Sequence, residues 1–218
     1  MFGKNPIRPP SNGDGLNLNV KNIFATLQGE GFYAGHPAIF IRLGGCNLAC
    51  NFCDTEFEDF ENFSLIQIIT KVKELANNTR LVVITGGEPF LQPIEKLCEQ
   101  LINLEFKVQI ETNGTLFRKL TKEVEIICSP KNSGNGYFPI RPDLLERINA
   151  FKFIVSANNK DYNNVAEIGQ ANNIPVYVQP MDEYNAEKNQ ANLKLATELA
   201  LNYGYRLSLQ LHKIVGIE

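Results

Sequence analysis

Ala38-Ile39-Phe40-Ile41-Arg42-Leu43-Gly44-Gly45-Cys46-Asn47-Leu48-Ala49-Cys50-Asn51-Phe52-Cys53-Asp54-Thr55 is the stretch on which the reading of this 218-residue chain turns. Its first six residues have the apolar character of a core strand. That strand opens directly onto a loop carrying three cysteines at the spacing Cys-x3-Cys-x2-Cys. Three thiolates fall one short of a closed tetrahedral zinc site. A [4Fe–4S] cluster held by three protein thiolates instead keeps one iron open to a substrate or cofactor, whereas an electron-transfer cluster usually has four. Two further cysteines bear on the choice. Cys98 falls on the apolar stripe of the helical pattern around residues 93–102, and Cys128 ends the apolar run Val124-Glu125-Ile126-Ile127-Cys128. Both have the setting of buried core thiols. Either is also an available fourth ligand if the loop belongs to a non-enzymatic, zinc-binding interaction module.

Outward from this stretch, strand-like apolar runs alternate with helical patterns. After residues 38–43 come 81–85, 106–111, 124–128, 151–155, 175–179 and a last run at 205–211. Ser64 and Gln67 fit a capping box ahead of Leu65, Ile68, Ile69, Val72, Leu75 and Ala76, which recur at helical spacing. Pro93 suits a first helical turn. Residues 185–203 form the longest helical candidate, with Leu193, Ala196, Leu199 and Ala200 along one face. Apolar strands alternating with helices predict an α/β fold with a parallel sheet covered by helices. Six core strands are too few for a closed eight-stranded barrel, so the expectation is a partial (β/α) barrel with helices outside. Residues 1–19, rich in Gly, Pro and Asn, read as an irregular extension ahead of one domain at 20–218.

Ligands of such sheets gather beyond the carboxyl ends of the strands. Polar motifs stand there in this chain. The cysteine loop follows the first core strand, Thr85-Gly86-Gly87-Glu88-Pro89 the second, and Glu111-Thr112-Asn113-Gly114 the third. Ser129-Pro130-Lys131 follows the fourth and Gln179-Pro180-Met181-Asp182 the sixth. Each alone is ordinary turn chemistry; together they predict one shared site.

The cysteine spacing with Gly86-Gly87-Glu88-Pro89 resembles the radical S-adenosylmethionine (SAM) enzymes, and the expected fold is a modified form of their core. In that family the open iron chelates SAM, and one electron cleaves it to a 5′-deoxyadenosyl radical. The resemblance implies SAM contacts at Phe52, Gly86, Gly87, Glu88, Asn113, Ser129, Pro130, Lys131 and Gln179. Adding Thr26-Leu27-Gln28-Gly29-Glu30-Gly31 and Arg42, the chain from residue 24 onward looks like the 7-carboxy-7-deazaguanine synthase family. That likeness implies a carbon–nitrogen lyase of queuosine and deazapurine biosynthesis, a tRNA-modification route. It would contract the ring of 6-carboxy-5,6,7,8-tetrahydropterin and release ammonia. Arg42, with its bidentate fork, suits the substrate carboxylate. Leu27, Gln28, Gly29 and Glu30 would read the pyrimidine edge. The likeness also places Thr85, His212 and the Glu218 terminus near substrate, and makes the Thr55 hydroxyl a ligand of Mg²⁺. An external one-electron donor of flavodoxin or ferredoxin type and a homodimer are implied in the same way. No side-chain acid or base is expected to act as the catalyst. The rival enzyme with the same cysteine spacing is an activase for a glycyl radical enzyme, acting on a protein loop.

Composition narrows the classes. A net charge of −3 leaves no basic nucleic-acid footprint, and no apolar run has membrane-spanning length. Five cysteines, three of them clustered, do not suggest a disulfide framework; a reducing cytoplasm is the expected home.

Replacing Cys46, Cys50 or Cys53 by Ala is expected to abolish turnover. Cys98→Ala and Cys128→Ala are expected to keep a reconstitutable cluster and SAM cleavage. Anaerobic reconstitution with iron analysis checks this, and tight zinc binding without cluster formation would contradict it.

Overall fold

The computed structural model describes residues 5–170 and 173–217. The first predicted core strand is there as β2 (Pro37–Leu43), preceded by β1 (Asn17–Leu27) and followed by β3 (Glu61–Ser64) and α1 (Leu65–Ala76). Then come β4 (Leu81–Gly86), α2 (Glu95–Asn103), β5 (Lys107–Thr112), β6 (Glu125–Cys128) and α3 (Pro142–Leu145). The chain continues through β7 (Ala150–Val155), β8 (Val176–Pro180), α4 (Ala186–Tyr203), β9 (Arg206–Leu207) and α5 (Leu211–Val215). One nine-stranded sheet has the order β3-β1-β2-β4-β5-β6-β7-β8-β9. From β2 to β9 all neighbours are parallel, while β1 pairs antiparallel with both β2 and β3. The expected α/β architecture, with six full parallel core strands and helices outside, is the one observed.

Side-chain alternation divides the sheet into two faces. Ile39, Ile41 and Leu43 on β2, Val82 and Ile84 on β4, and Val108 and Ile110 on β5 share the main core with α1 and α2. The intervening positions, Phe40, Arg42, Thr85, Glu111 and Lys152, line a cavity on the other face. Helix α1 starts as its sequence predicts. The Gln67 amide N–H donates to Ser64 Oγ at 3.3 Å, and the Ser64 N–H donates back to Gln67 Oε1 at 2.8 Å. Leu65, Ile68, Ile69, Val72 and Ala76 then bury one face. Fully buried Ile68 and Val72 each contribute about 1.5–3 kcal/mol of hydrophobic stabilisation.

Several expectations are corrected. Pro93 stands ahead of α2 rather than in its first turn, since Ile94 is the N-cap. On α4 it is Asn192, not Leu193, that turns inward with Ala196 and Leu199; Leu193 is 41% exposed. Asn192 is held there by polar work: its Oδ1 accepts from Ala157 N–H at 2.8 Å, and its amide donates to the Met181 carbonyl at 2.9 Å. The last strand is only Arg206–Leu207. The Ser208 N–H still donates to the Val178 carbonyl at 2.9 Å, its hydroxyl bonds Gln179 and the Gly31 N–H, and Leu211 already begins α5. Strand β1 escaped a period-two reading because a register shift between Val20 and Asn22 breaks its alternation. It also takes in Asn17–Asn19, at the end of the segment read as irregular. Beyond β9, the Leu211 N–H donates to the Gly29 carbonyl at 3.0 Å, so the C-terminal segment meets the loop after β1.

Candidate functional site

A cavity of about 370 Å³ is lined by the three loop cysteines together with residues from six strands and the C-terminal segment. Of the positions picked from sequence, it gathers Phe52, Gly86, Gly87, Asn113, Ser129, Lys131 and Gln179, as well as Leu27, Gln28, Glu30, Arg42, Thr85, His212 and Thr55. Gly29, Glu88 and Pro130 are not among its lining residues. Glu218 lies outside the described residues.

The cysteine loop is pinned by neutral hydrogen bonds. Asn113 Nδ2 donates to Asn47 Oδ1 at 3.0 Å, and Asn47 Nδ2 donates to Thr115 Oγ1 at 2.7 Å. Gly86 sits at φ +140°, and a Cβ there would lie 2.1 Å from the Leu43 carbonyl oxygen. A Cβ at Gly87 would lie equally close to the Gly45 carbonyl. Only glycines let this turn press against the cysteine loop. Behind them Glu88 is fully buried. It accepts from Phe90 N–H at 3.0 Å, Thr112 Oγ1 at 2.7 Å and Asn113 N–H at 2.7 Å. Burial pushes its carboxyl up to about 7 despite those donors. Glu88 therefore braces the second and third motifs together and keeps one lone pair on Oε2. Phe52 packs edge-on to Tyr162 at 4.8 Å. Lys131 donates to the Ser129 carbonyl at 2.6 Å and hydroxyl at 2.7 Å, placing a cation near Cys50.

The other wall is charged. Lys152, buried on β7, pairs with Glu30 and, at 3.1 Å, with Glu111. Glu30 also accepts from Gln179 Nε2 at 3.0 Å and Gln210 Nε2 at 2.8 Å. Glu111 accepts from Gln28 Nε2 at 2.9 Å, and Gln28 Oε1 accepts from the Glu30 N–H at 3.1 Å. Burial alone would raise the Glu30 carboxyl. The Lys152 charge and the bonds from Lys152 and Gln210 outweigh it and hold it well below the carboxylate range. Burial opposes the charge on Lys152 as well, but Glu111 and Glu30 raise it above its ordinary value. Gln28 and Glu30 thus reach the cavity with part of their capacity already committed. Sequence reasoning missed Lys152, Gln210 and the role of Glu111. The available signal was one lysine inside the apolar run Phe151-Lys152-Phe153-Ile154-Val155.

Near the cysteine loop, Arg42 Nη1 donates to Thr55 Oγ1 at 3.4 Å, and the Thr55 hydroxyl donates to Asp54 Oδ1 at 3.3 Å. The Arg42 guanidinium stands over the Phe24 ring at 5.8 Å. His212 backs against Gly29, where an added Cβ would fall 2.1 Å from Nδ1.

The donor set suits an iron–sulfur cluster. Burial raises all three thiols, Cys46 to about 12, so they need strong positive charge to persist as thiolates, and cluster irons supply it. Among the described residues no three His, Cys, Asp or Glu side chains converge to hold one metal ion. Thiolates serving three different irons need not converge on one point. Also among the described residues, no helix is long and apolar enough to cross a membrane.

Comparison with known proteins agrees with this geometry. The family model of the radical SAM superfamily matches residues 40–171. The 7-carboxy-7-deazaguanine synthase of Rickettsia prowazekii (strain Madrid E) is 57% identical, with 100% of this chain and 96% of that protein covered. The synthase of the same name from Rhodospirillum rubrum is 38% identical over the full length of both. The crystal structure of QueE from Escherichia coli superposes with a TM-score of 0.72 at 26% identity, covering 92% of this chain and 99% of that one.

Removing the central cation tests the wall directly. Lys152→Met is expected to cost about 3–5 kcal/mol at neutral pH, because two carboxylates stay buried without their partner. The sign follows from linkage. With Lys152 present, Glu30 is held low and favours folding above the ordinary carboxylate range. Without it, burial raises Glu30, so the variant recovers part of its deficit on acidification to about pH 5. Urea unfolding of both proteins at the two pH values checks this. An equal deficit at both would contradict it.

Proposed function

The chain belongs to the radical SAM superfamily and, within it, to the 7-carboxy-7-deazaguanine synthases, and from that premise we propose how its cavity performs the reaction. It is an enzyme of that family, with SAM and a [4Fe–4S] cluster as its cofactors. The substrate is 6-carboxy-5,6,7,8-tetrahydropterin, the product 7-carboxy-7-deazaguanine, and ammonia is the leaving group. The observation that carries the residue assignments is the pairing of two unlike walls in one cavity. Arg42 and Thr55 offer an oxyanion site next to the cysteine loop, and the Gln28, Glu30, Glu111 and Lys152 network offers fixed acceptors and donors elsewhere. A carboxylated pterin has one charged end and one hydrogen-bonding edge, and so matches both.

Cys46, Cys50 and Cys53 would hold the cluster, and the Gly86-Gly87 backbone, Phe52, Asn113, Ser129 and Lys131 would line the SAM site. When bound, the cluster and SAM supply hydrogen-atom abstraction. The protein's own residues position and shield. Arg42, oriented by the Phe24 ring, binds the substrate carboxylate bidentately. Thr55 would offer its hydroxyl to Mg²⁺, an ion that would supply positive charge for the substrate carboxylate beside Arg42. Glu30, held ionised by Lys152, and Glu111, paired with the same lysine, accept from the N–H groups of the pyrimidine edge. Gln179 and Gln210 hold Glu30 in place. An external one-electron donor of flavodoxin or ferredoxin type and a homodimer belong to the same reading. The relatives named above are synthases, and a cavity of about 370 Å³ suits a small substrate rather than the protein loop of an activase.

Two substitutions test the oxyanion site. Arg42→Ala is expected to weaken substrate binding by about 1.5–3 kcal/mol, the worth of a hydrogen bond to a charged group. SAM binding should change little, and equilibrium binding under anaerobic conditions reads both. Unchanged substrate affinity in the folded variant would remove Arg42 from the site. Thr55→Val keeps the volume and deletes the oxygen. Most of the Mg²⁺ stimulation of product formation is expected to vanish while cluster content stays the same, and wild-type stimulation would reject the ligand role.

A further inference from the structure

The segment ahead of β1 has no part in the chemistry described so far, yet it is bonded to two of the loops that carry it. Ile7 forms a parallel bridge with Cys46, and the Arg8 N–H donates to the Cys46 carbonyl at 2.8 Å. The Arg8 guanidinium then forks onto the Glu58 carboxylate, with Nε at 2.9 Å from Oε2, and stands over the Phe60 ring at 5.2 Å. Gly45, at φ +82°, has no room for a side chain beyond ordinary contact: a Cβ would lie 3.0 Å from both Arg8 Cδ and Leu91 Cδ2. Three residues on, the Ser11 N–H donates to the Leu91 carbonyl at 2.8 Å, just past the Gly-Gly-Glu-Pro turn. Arg118 closes the other side by donating to the carbonyls of Ser11, Phe90 and Leu91. Asn5 reaches the cavity itself.

We propose that residues 5–11 form a strap that locks the first cluster cysteine against the glycine turn, with Arg8 as a positioning residue acting through Cys46. This rests on the cluster assignment made above. The physical case is one of entropy and access. A loop presenting three thiolates to one inorganic group must hold them in place before the group arrives. The loop's own hydrogen bonds to Asn113 and Thr115 restrain only its side facing β5. The strap supplies a backbone bond at Cys46 itself, and the Arg8–Glu58 fork ties that bond to the far end of the same loop. Loosening the strap is expected to let iron leave faster without removing any ligand.

The test uses the full chain with its cluster reconstituted anaerobically. Arg8→Ala and Glu58→Ala are each expected to take up the same iron as wild type. Each should then lose it to a chelator about two- to five-fold faster, the range that a partly exposed ion pair commands. The double variant should be no faster than either single, since one interaction is being removed. The spectrum of the reduced cluster on SAM addition should broaden in all three, a change that a purely global loss of stability would not produce. Thermal unfolding of the apo proteins separates the two causes. Wild-type release rates and spectra in variants that hold a full cluster would overturn the strap alone. A wild-type chain that takes up no cluster would overturn the cluster assignment and the strap with it.

Discussion

A lysine ammonium buried in a protein must be paired, and Lys152 is paired twice. Its partners come from distant parts of the chain: Glu111 from β5 and Glu30 from the loop after β1, 122 residues away. Around that centre Gln28, Gln179 and Gln210 donate to the two carboxylates and leave each with acceptor capacity to spare, so five segments converge on one charge. Closing an open parallel sheet normally takes more strands. Here the inner face is bridged by polar side chains, and a backbone bond from Leu211 to Gly29 joins the C-terminal segment to the loop after β1. The cost of desolvating these charges is recovered only when all of them are in place, which makes the cavity's shape an all-or-none property.

The two faces of the sheet therefore do different work. Phe151 and Phe153 on β7 enter the apolar core with α1 and α2, while Lys152 between them faces the cavity. The same alternation sends Ile41 to the core and Arg42 to the site. Stability comes from the outer face and specificity from the inner one. The cysteine loop, at the carboxyl end of β2, is held between them by the Gly86-Gly87 turn and by the N-terminal strap.

Local signals in the sequence were sufficient for much of this. The capping box at Ser64 and Gln67 appears as read, and so do the six parallel core strands and the shared rim of polar motifs. What escaped had physical reasons. Strand β1 hid behind a bulge, and the run at 205–211 has a strand's composition although only Arg206 and Leu207 pair with β8 before α5 begins at Leu211. Leu193 fitted the helical stripe, but Asn192 holds the buried position because backbone groups of Ala157 and Met181 need its amide. Gln28 and Glu30 were legible as polar residues near the site. Their commitment to Glu111 and Lys152 was not, since partners so far apart in sequence leave no local periodicity. Glu88 was legible as part of the glycine motif, but its bracing of Thr112 and Asn113 was not, since those partners lie on the next motif.

Contracting the ring of 6-carboxy-5,6,7,8-tetrahydropterin with loss of ammonia alone involves no net redox change, so SAM need not be consumed and can be regenerated in each cycle. The most direct measurement is anaerobic multiple turnover of carboxytetrahydropterin deuterated at carbon 6, with SAM, Mg²⁺ and a reductant. The account predicts 7-carboxy-7-deazaguanine in large excess over accumulated 5′-deoxyadenosine, and deuterium recovered in SAM. Stoichiometric loss of SAM during turnover, with no label returned to it, would contradict the account.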